Sequence, residues 1–108
     1  IYTEGATFLN VLAPCPRGWG YATEDLMKIN KLAIDTCYWP LYEVVNGVYK
    51  ITYKPAQKLP IEEFLRPQKR FKHMFKPGNE WMIEEFQKEV DKRWQELLNL
   101  EEMTNIAQ

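Results

Sequence analysis

The chain has 108 residues, 27% of them charged, 45% hydrophobic and 14% aromatic, with a formal net charge of −1, which is the balance of an ordinary globular sequence. A charge so near zero offers no global attraction to nucleic acid or to an anionic membrane. No apolar run approaches the ~18 residues of a membrane span, and no basic stretch followed by an apolar one marks a secretion signal. Two cysteines, Cys15 and Cys37, are too few for a disulfide scaffold, so a cytoplasmic setting is the expectation.

In chain order, residues 7–13 form a near-continuous apolar run that predicts a central strand covered on both faces. It stops at Ala13-Pro14-Cys15-Pro16-Arg17-Gly18-Trp19-Gly20, where two prolines clamp a cysteine. Open α/β folds place ligands at the carboxyl ends of their strands. No second run of this type follows, so the strand lacks its neighbours. With Ile1 in place of Met, the chain reads as the carboxyl-terminal piece of a longer polypeptide.

Thr23, followed by Glu24 and Asp25, predicts a capped helix to about Thr36, with Leu26, Ile29, Leu32, Ala33 and Cys37 on its apolar face. Asn46-Gly47 lies between two strand-like runs and predicts a hairpin with a type I′ turn. That register pairs Val45 with Val48, Val44 with Tyr49, Glu43 with Lys50 and Tyr42 with Ile51. The segment Lys54–Pro60 has the composition of an extended arm. Pro60 opens a short helix, Ile61–Leu65, and a second short helical piece spans Gln68–Phe75. Asn79 caps the longest helix, to about Leu100, with Met82, Ile83, Phe86, Val90, Trp94, Leu97 and Leu98 as its apolar stripe. Such a helix needs a surface to lie on, while Thr104–Gln108 is expected to fray.

Two readings stand open for Cys15 on its own residues: a buried structural thiol, or one ligand of an iron–sulfur cluster whose other cysteines lie elsewhere. Cys37, on an apolar helix face, reads as core. Arg17 would favour a more negative cluster state, and Trp19 would shield it from water. The stretch Arg66–Lys76 carries five basic residues and no acid, interleaved with Phe71, His73, Met74 and Phe75. It suits a solvated or subunit-facing segment, an acidic protein partner, or, least well, single-stranded nucleic acid. His73, the single histidine, has no catalytic partner nearby in sequence. There is no Gly-Asp-Gly, no Cys-x-x-Cys and no phosphate-cradling glycine loop, so the chain alone is expected to be inert.

Three stretches carry a family resemblance: Phe8–Trp19 (FLNVLAPCPRGW), Leu32–Tyr53 (LAIDTCYWPLYEVVNGVYKITY), and Lys54–Phe75 with its LPIEEFL and RFKHMF segments. They resemble the β subunit of pyruvate:ferredoxin oxidoreductase. The first stretch looks like subunits for several 2-oxoacids; Trp39-Pro40-Leu41-Tyr42-Glu43 and the hairpin look more like the pyruvate branch. The resemblance implies oxidative decarboxylation of pyruvate with coenzyme A, electrons passing to ferredoxin. It also implies a [4Fe–4S] cluster, thiamine diphosphate and Mg²⁺, the last two held mainly by residues upstream of this chain. Cys15 falls on the position of the remote cluster ligand. Partners would be α-, γ- and δ-type subunits, with neither nucleic acid nor membrane.

The expected architecture is α/β: the carboxyl-terminal part of a thiamine-diphosphate-binding domain in residues 1–53 (sheet strand, helix, β-hairpin), then an arm and long amphipathic helix in residues 54–108. The alternative is a non-catalytic subunit-docking module, in which Cys15 matters neither to metal content nor to turnover.

Overall fold

A computed structural model describes residues 4–106, and its helices and single hairpin are largely those the sequence calls for. Cys15 opens a one-turn helix, α1 (Pro16–Trp19), and Gly20 closes it in the left-handed region at φ 77°. Pro at the first helical position and Gly just past the last are the residues that favour such a turn. A 3-10 turn, Thr23–Asp25, leads into α2 (Leu26–Asp35). The expected Thr23 cap does not form. The Asp25 N–H donates to Ala22 O at 2.8 Å, so backbone bonding within the turn takes up a donor that a cap would serve.

At the far end of α2, Cys37 adopts φ 64°, which lets its N–H reach Ile34 O and the Trp39 N–H reach Ala33 O. Its side chain is buried, as expected, among Ile29, Ala33, Ile61, Phe64 and Leu65. Burial pushes the thiol's pKa up, so it behaves as an inert apolar group.

Strands β1 (Leu41–Val45) and β2 (Val48–Tyr53) pair antiparallel in the predicted register, with a slip near Leu41 that sets it opposite Tyr53. Asn46 and Gly47 both have positive φ, 52° and 77°, as a type I′ turn requires. Tyr42 and Tyr49 stack on one face at 6.1 Å.

The arm leads to α3 (Ile61–Leu65), a 3-10 segment Lys69–Phe75 and α4 (Glu80–Ile106). The surface that α4 needs is supplied by this chain: Val90 joins the core, while Phe86 and Trp94 lean on it. Thr104–Ile106 are helical, which corrects the expected fraying. The physical reason is side-chain anchorage, because the Thr104 hydroxyl accepts the Tyr49 N–H and the Asn105 amide donates to Tyr49 O. Residues 107–108 lie outside the described residues.

One expected element does not form within this chain. Residues 7–13 form no strand, and Phe8, Leu9 and Val11 are 91%, 77% and 70% exposed. A strand needs a neighbour for its N–H and C=O groups. The one sheet among the described residues is the hairpin, and this segment does not pair with it. An extended alternation persists, with Leu12, Pro14 and Pro16 half-buried and Val11, Ala13 and Cys15 exposed.

Candidate metal centre

Cys15 is exposed and sits at the N-cap of α1 in extended backbone geometry, φ −109° and ψ 108°. Flanking prolines restrict the chain on both sides, so the direction of the thiol is set by a stiff segment. The Gly18 N–H donates to its Sγ at 3.3 Å. A Cβ built on Gly18 would lie only 3.3 Å from that sulfur. Glycine therefore keeps one flank of the sulfur open for a bulky inorganic partner, and hydrogen bonds to sulfur are among the features that set cluster potentials. The donor chemistry fits a cluster ligand, as a single contribution: no group of three or more His, Cys, Asp or Glu converges among the described residues.

The turn behind the thiol is tightly seated. Trp19 N–H closes the turn onto Cys15 O at 2.8 Å, and its indole meets Phe64 edge-on at 6.1 Å. The Arg70 guanidinium lies over the same indole at 4.0 Å. Gly20 O accepts the Lys69 N–H at 2.9 Å, and a Cβ on Gly20 would come within 2.7 Å of Lys69 Cβ. Tyr21 flanks the turn, its phenol pKa raised first by burial and then by the charge of Cys15. Trp19 is half-buried, and Arg17 is exposed one residue beyond Pro16.

The basic stretch divides into two groups. Arg66 stacks over Phe75 at 4.8 Å and pairs with Glu62, and Arg70 is occupied by Trp19 and Phe71. Lys69, Lys72 and Lys76 face solvent, as does His73. Lys69 and Lys72 border a shallow cleft of about 220 Å³ together with Pro67 and Phe75. What sequence reasoning missed is the use of Arg70 against Trp19. The alternation of cations and aromatics was visible, but the pairing joins residues some fifty positions apart and has no local signal.

Comparison with known proteins brings the sequence resemblance to bear on this site. No protein-family model matches the chain. Pyruvate synthase subunit PorB of Thermotoga maritima is 47% identical over 102 residues, 94% of this chain and 32% of that protein. PorB of Methanocaldococcus jannaschii is 44% identical over 90 residues, 83% of this chain and 29% of that protein. Ketoisovalerate oxidoreductase subunit VorB of Pyrococcus furiosus is 44% identical over 102 residues, 93% of this chain and 32% of that protein. The chain spans about a third of the length of these curated relatives. No helix among the described residues is long and apolar enough to cross a membrane. Across most of its length, this chain resembles the PorB and VorB subunits of 2-oxoacid oxidoreductases, the family that Phe8–Trp19, Leu32–Tyr53 and Lys54–Phe75 resemble.

Proposed function

We propose that this chain is the carboxyl-terminal portion of the β subunit of a pyruvate:ferredoxin oxidoreductase, and that Cys15 is the fourth thiolate of its [4Fe–4S] cluster. The observation that carries this reading is the exposed Sγ, held on a proline-stiffened segment with the Gly18 N–H on one side and no Cβ in the way. Residues 1–53 then close the thiamine-diphosphate domain and 54–108 form its extension. The other cluster ligands, thiamine diphosphate and Mg²⁺ would be bound by the remainder of the subunit.

When bound, the cluster supplies one-electron transfer between the thiamine site and ferredoxin. The residues of this chain fix where that transfer happens. Cys15 would anchor one iron, the Gly18 N–H donates to its sulfur, and the half-buried Trp19 would limit water beside it. The exposed Arg17 favours the more negative, reduced cluster. Lys69, Lys72 and Lys76 present positive charge suited to an acidic carrier such as ferredoxin. Pyruvate is the substrate of this reading, with coenzyme A as acyl acceptor, α-, γ- and δ-type subunits as partners and the cytoplasm as location. PorB and VorB relatives match at similar identity, so substrate choice rests on the Trp39–Glu43 stretch and the hairpin.

The exposure of Phe8, Leu9 and Val11 favours a second reading, a docking module whose role is interface burial alone. Cys15→Ser in the assembled enzyme separates the two. The cluster reading expects loss of roughly one cluster's iron, loss of its reduced-state electron paramagnetic resonance (EPR) signal and a collapse of pyruvate-dependent ferredoxin reduction. Full iron content with unchanged turnover would leave the docking module standing.

A further inference from the structure

We propose that Arg70 is a positioning residue for the Cys15 turn, acting through the plane of its guanidinium on Trp19; the inference rests on the cluster reading above. The guanidinium lies 4.0 Å from the Trp19 ring centre and 4.4 Å from that of Phe71, so it is wedged between two aromatic faces. Its Nε donates to Gln68 Oε1 at 2.6 Å. Gln68 is itself 1% exposed and is locked by its other amide atom, Nε2, on Phe64 O at 2.6 Å. The chain of contacts therefore runs from the core residue Phe64 through Gln68 and Arg70 to Trp19, whose N–H is bonded to Cys15 O.

A second fastening lies beside it. The Lys69 N–H bonds Gly20 O, and the close approach of Lys69 Cβ to Gly20 admits no side chain at position 20. Residues 69 and 70 thus grip the turn at both of its last two positions. Arg70 Nη2 is buried without a hydrogen-bond partner. Leaving a buried guanidinium nitrogen without a partner costs stability, and no acid pairs with Arg70 among the described residues, so the two aromatic faces and Gln68 are what hold the half-buried group in place. Stacking of this kind is specific to guanidinium, because a lysine ammonium is a point charge without a plane.

The test uses the assembled enzyme with Arg70→Lys, Arg70→Gln and, as control, Cys15→Ser. Iron release to a chelator and the EPR spectrum of the reduced cluster are read alongside turnover. Expected for both Arg70 variants is iron release about tenfold faster than wild type, the scale of outer-shell effects on metal affinity, with altered EPR g-values. Lysine does not rescue if the plane is what matters. Wild-type behaviour of Arg70→Lys with a defective Arg70→Gln would show that charge alone acts and would overturn the positioning role. Wild-type behaviour of both, while Cys15→Ser loses its cluster, would overturn the inference and leave the cluster reading intact. A Cys15→Ser enzyme that keeps its cluster overturns the reading itself, and this inference with it.

Discussion

Asp35 fastens three parts of the chain with one residue. Its Oδ1 accepts the Tyr53 hydroxyl at 2.6 Å, its Oδ2 pairs with Lys31 at 3.0 Å, and its backbone O accepts the Leu59 N–H. The end of α2, the end of β2 and the arm meet there. The Tyr53 hydrogen bond holds the carboxyl below its ordinary range, with Lys31 adding to it and burial opposing. The same bond raises the phenol of Tyr53. Asp35 binds its proton more weakly folded than unfolded, so its contribution is complete above the ordinary aspartate value and fades as pH falls through the folded value. Tyr53 has the opposite sign: its contribution is complete below the ordinary tyrosine value and is lost as pH rises through the folded one. Tyr53→Phe should therefore lower stability at neutral pH, through loss of a hydrogen bond to a charged group. Denaturant unfolding of both proteins at pH ~7 and ~3 checks this. The gap should narrow at the acid end, and a gap that stays constant would show that the ring, not the bond, carries the effect.

Among the elements, α4 acts as a clasp on the open edge of β2. In a two-stranded sheet each strand has an unpaired edge. Here the Ile51 N–H donates to Glu101 Oε2 at 2.7 Å and the Tyr49 N–H to Thr104, with Lys54 bound to Glu101 Oε1. Lys54 first and the Ile51 N–H second lower the Glu101 pKa, so this support is present at neutral pH and is lost on acidification through the folded value. Glu101→Ala leaves the N–H of the buried Ile51 without a partner and should lower stability. Hydrogen exchange at Ile51 should accelerate, and Glu101→Gln, which keeps an acceptor, should recover most of the protection. Equal protection in the alanine variant would mean that the clasp contributes nothing.

The elements also show which parts of the fold could be read in advance. The hairpin was legible down to its register because Asn46-Gly47 and the alternation around it are local. The stripe of α4 was legible because its period is internal to the helix. The clasp was not, since it joins Ile51 to a residue fifty positions away. Helix α1 was missed although Pro16 and Gly20 mark its two ends, because four residues give too short a pattern to show periodicity. Of the candidate site, Cys15 was legible through its prolines, whereas the wedge of Arg70 against Trp19 required the tertiary structure.

At the scale of the whole molecule, the unpaired segment 7–13 and the clamped thiol that follows it belong to one argument. Its side chains are those of a strand buried on both faces, yet Phe8, Leu9 and Val11 stand in solvent. Burying those three side chains is worth ~1.5–3 kcal/mol each, so their exposure leaves a large driving force unused. Leu12, facing the other way, already packs against the core. The segment is thus anchored on one side, at Leu12, and open on the other. On the reading proposed above, this segment would pair as a strand in the sheet of a longer subunit, with Cys15 just past its end. Hydrogen exchange measures this directly. In the full-length subunit the amides of residues 7–13 should be protected by orders of magnitude, as ladder hydrogen bonds in a core strand are, and in the 108-residue chain they should exchange almost freely. Rapid exchange in both would mean that no strand neighbours it, and the sulfur would then be positioned by its flanking prolines and by the contacts of residues 69 and 70 with the turn. Protection confined to the longer protein would show that the residues exposed in this chain pair there as a strand that ends just before Cys15.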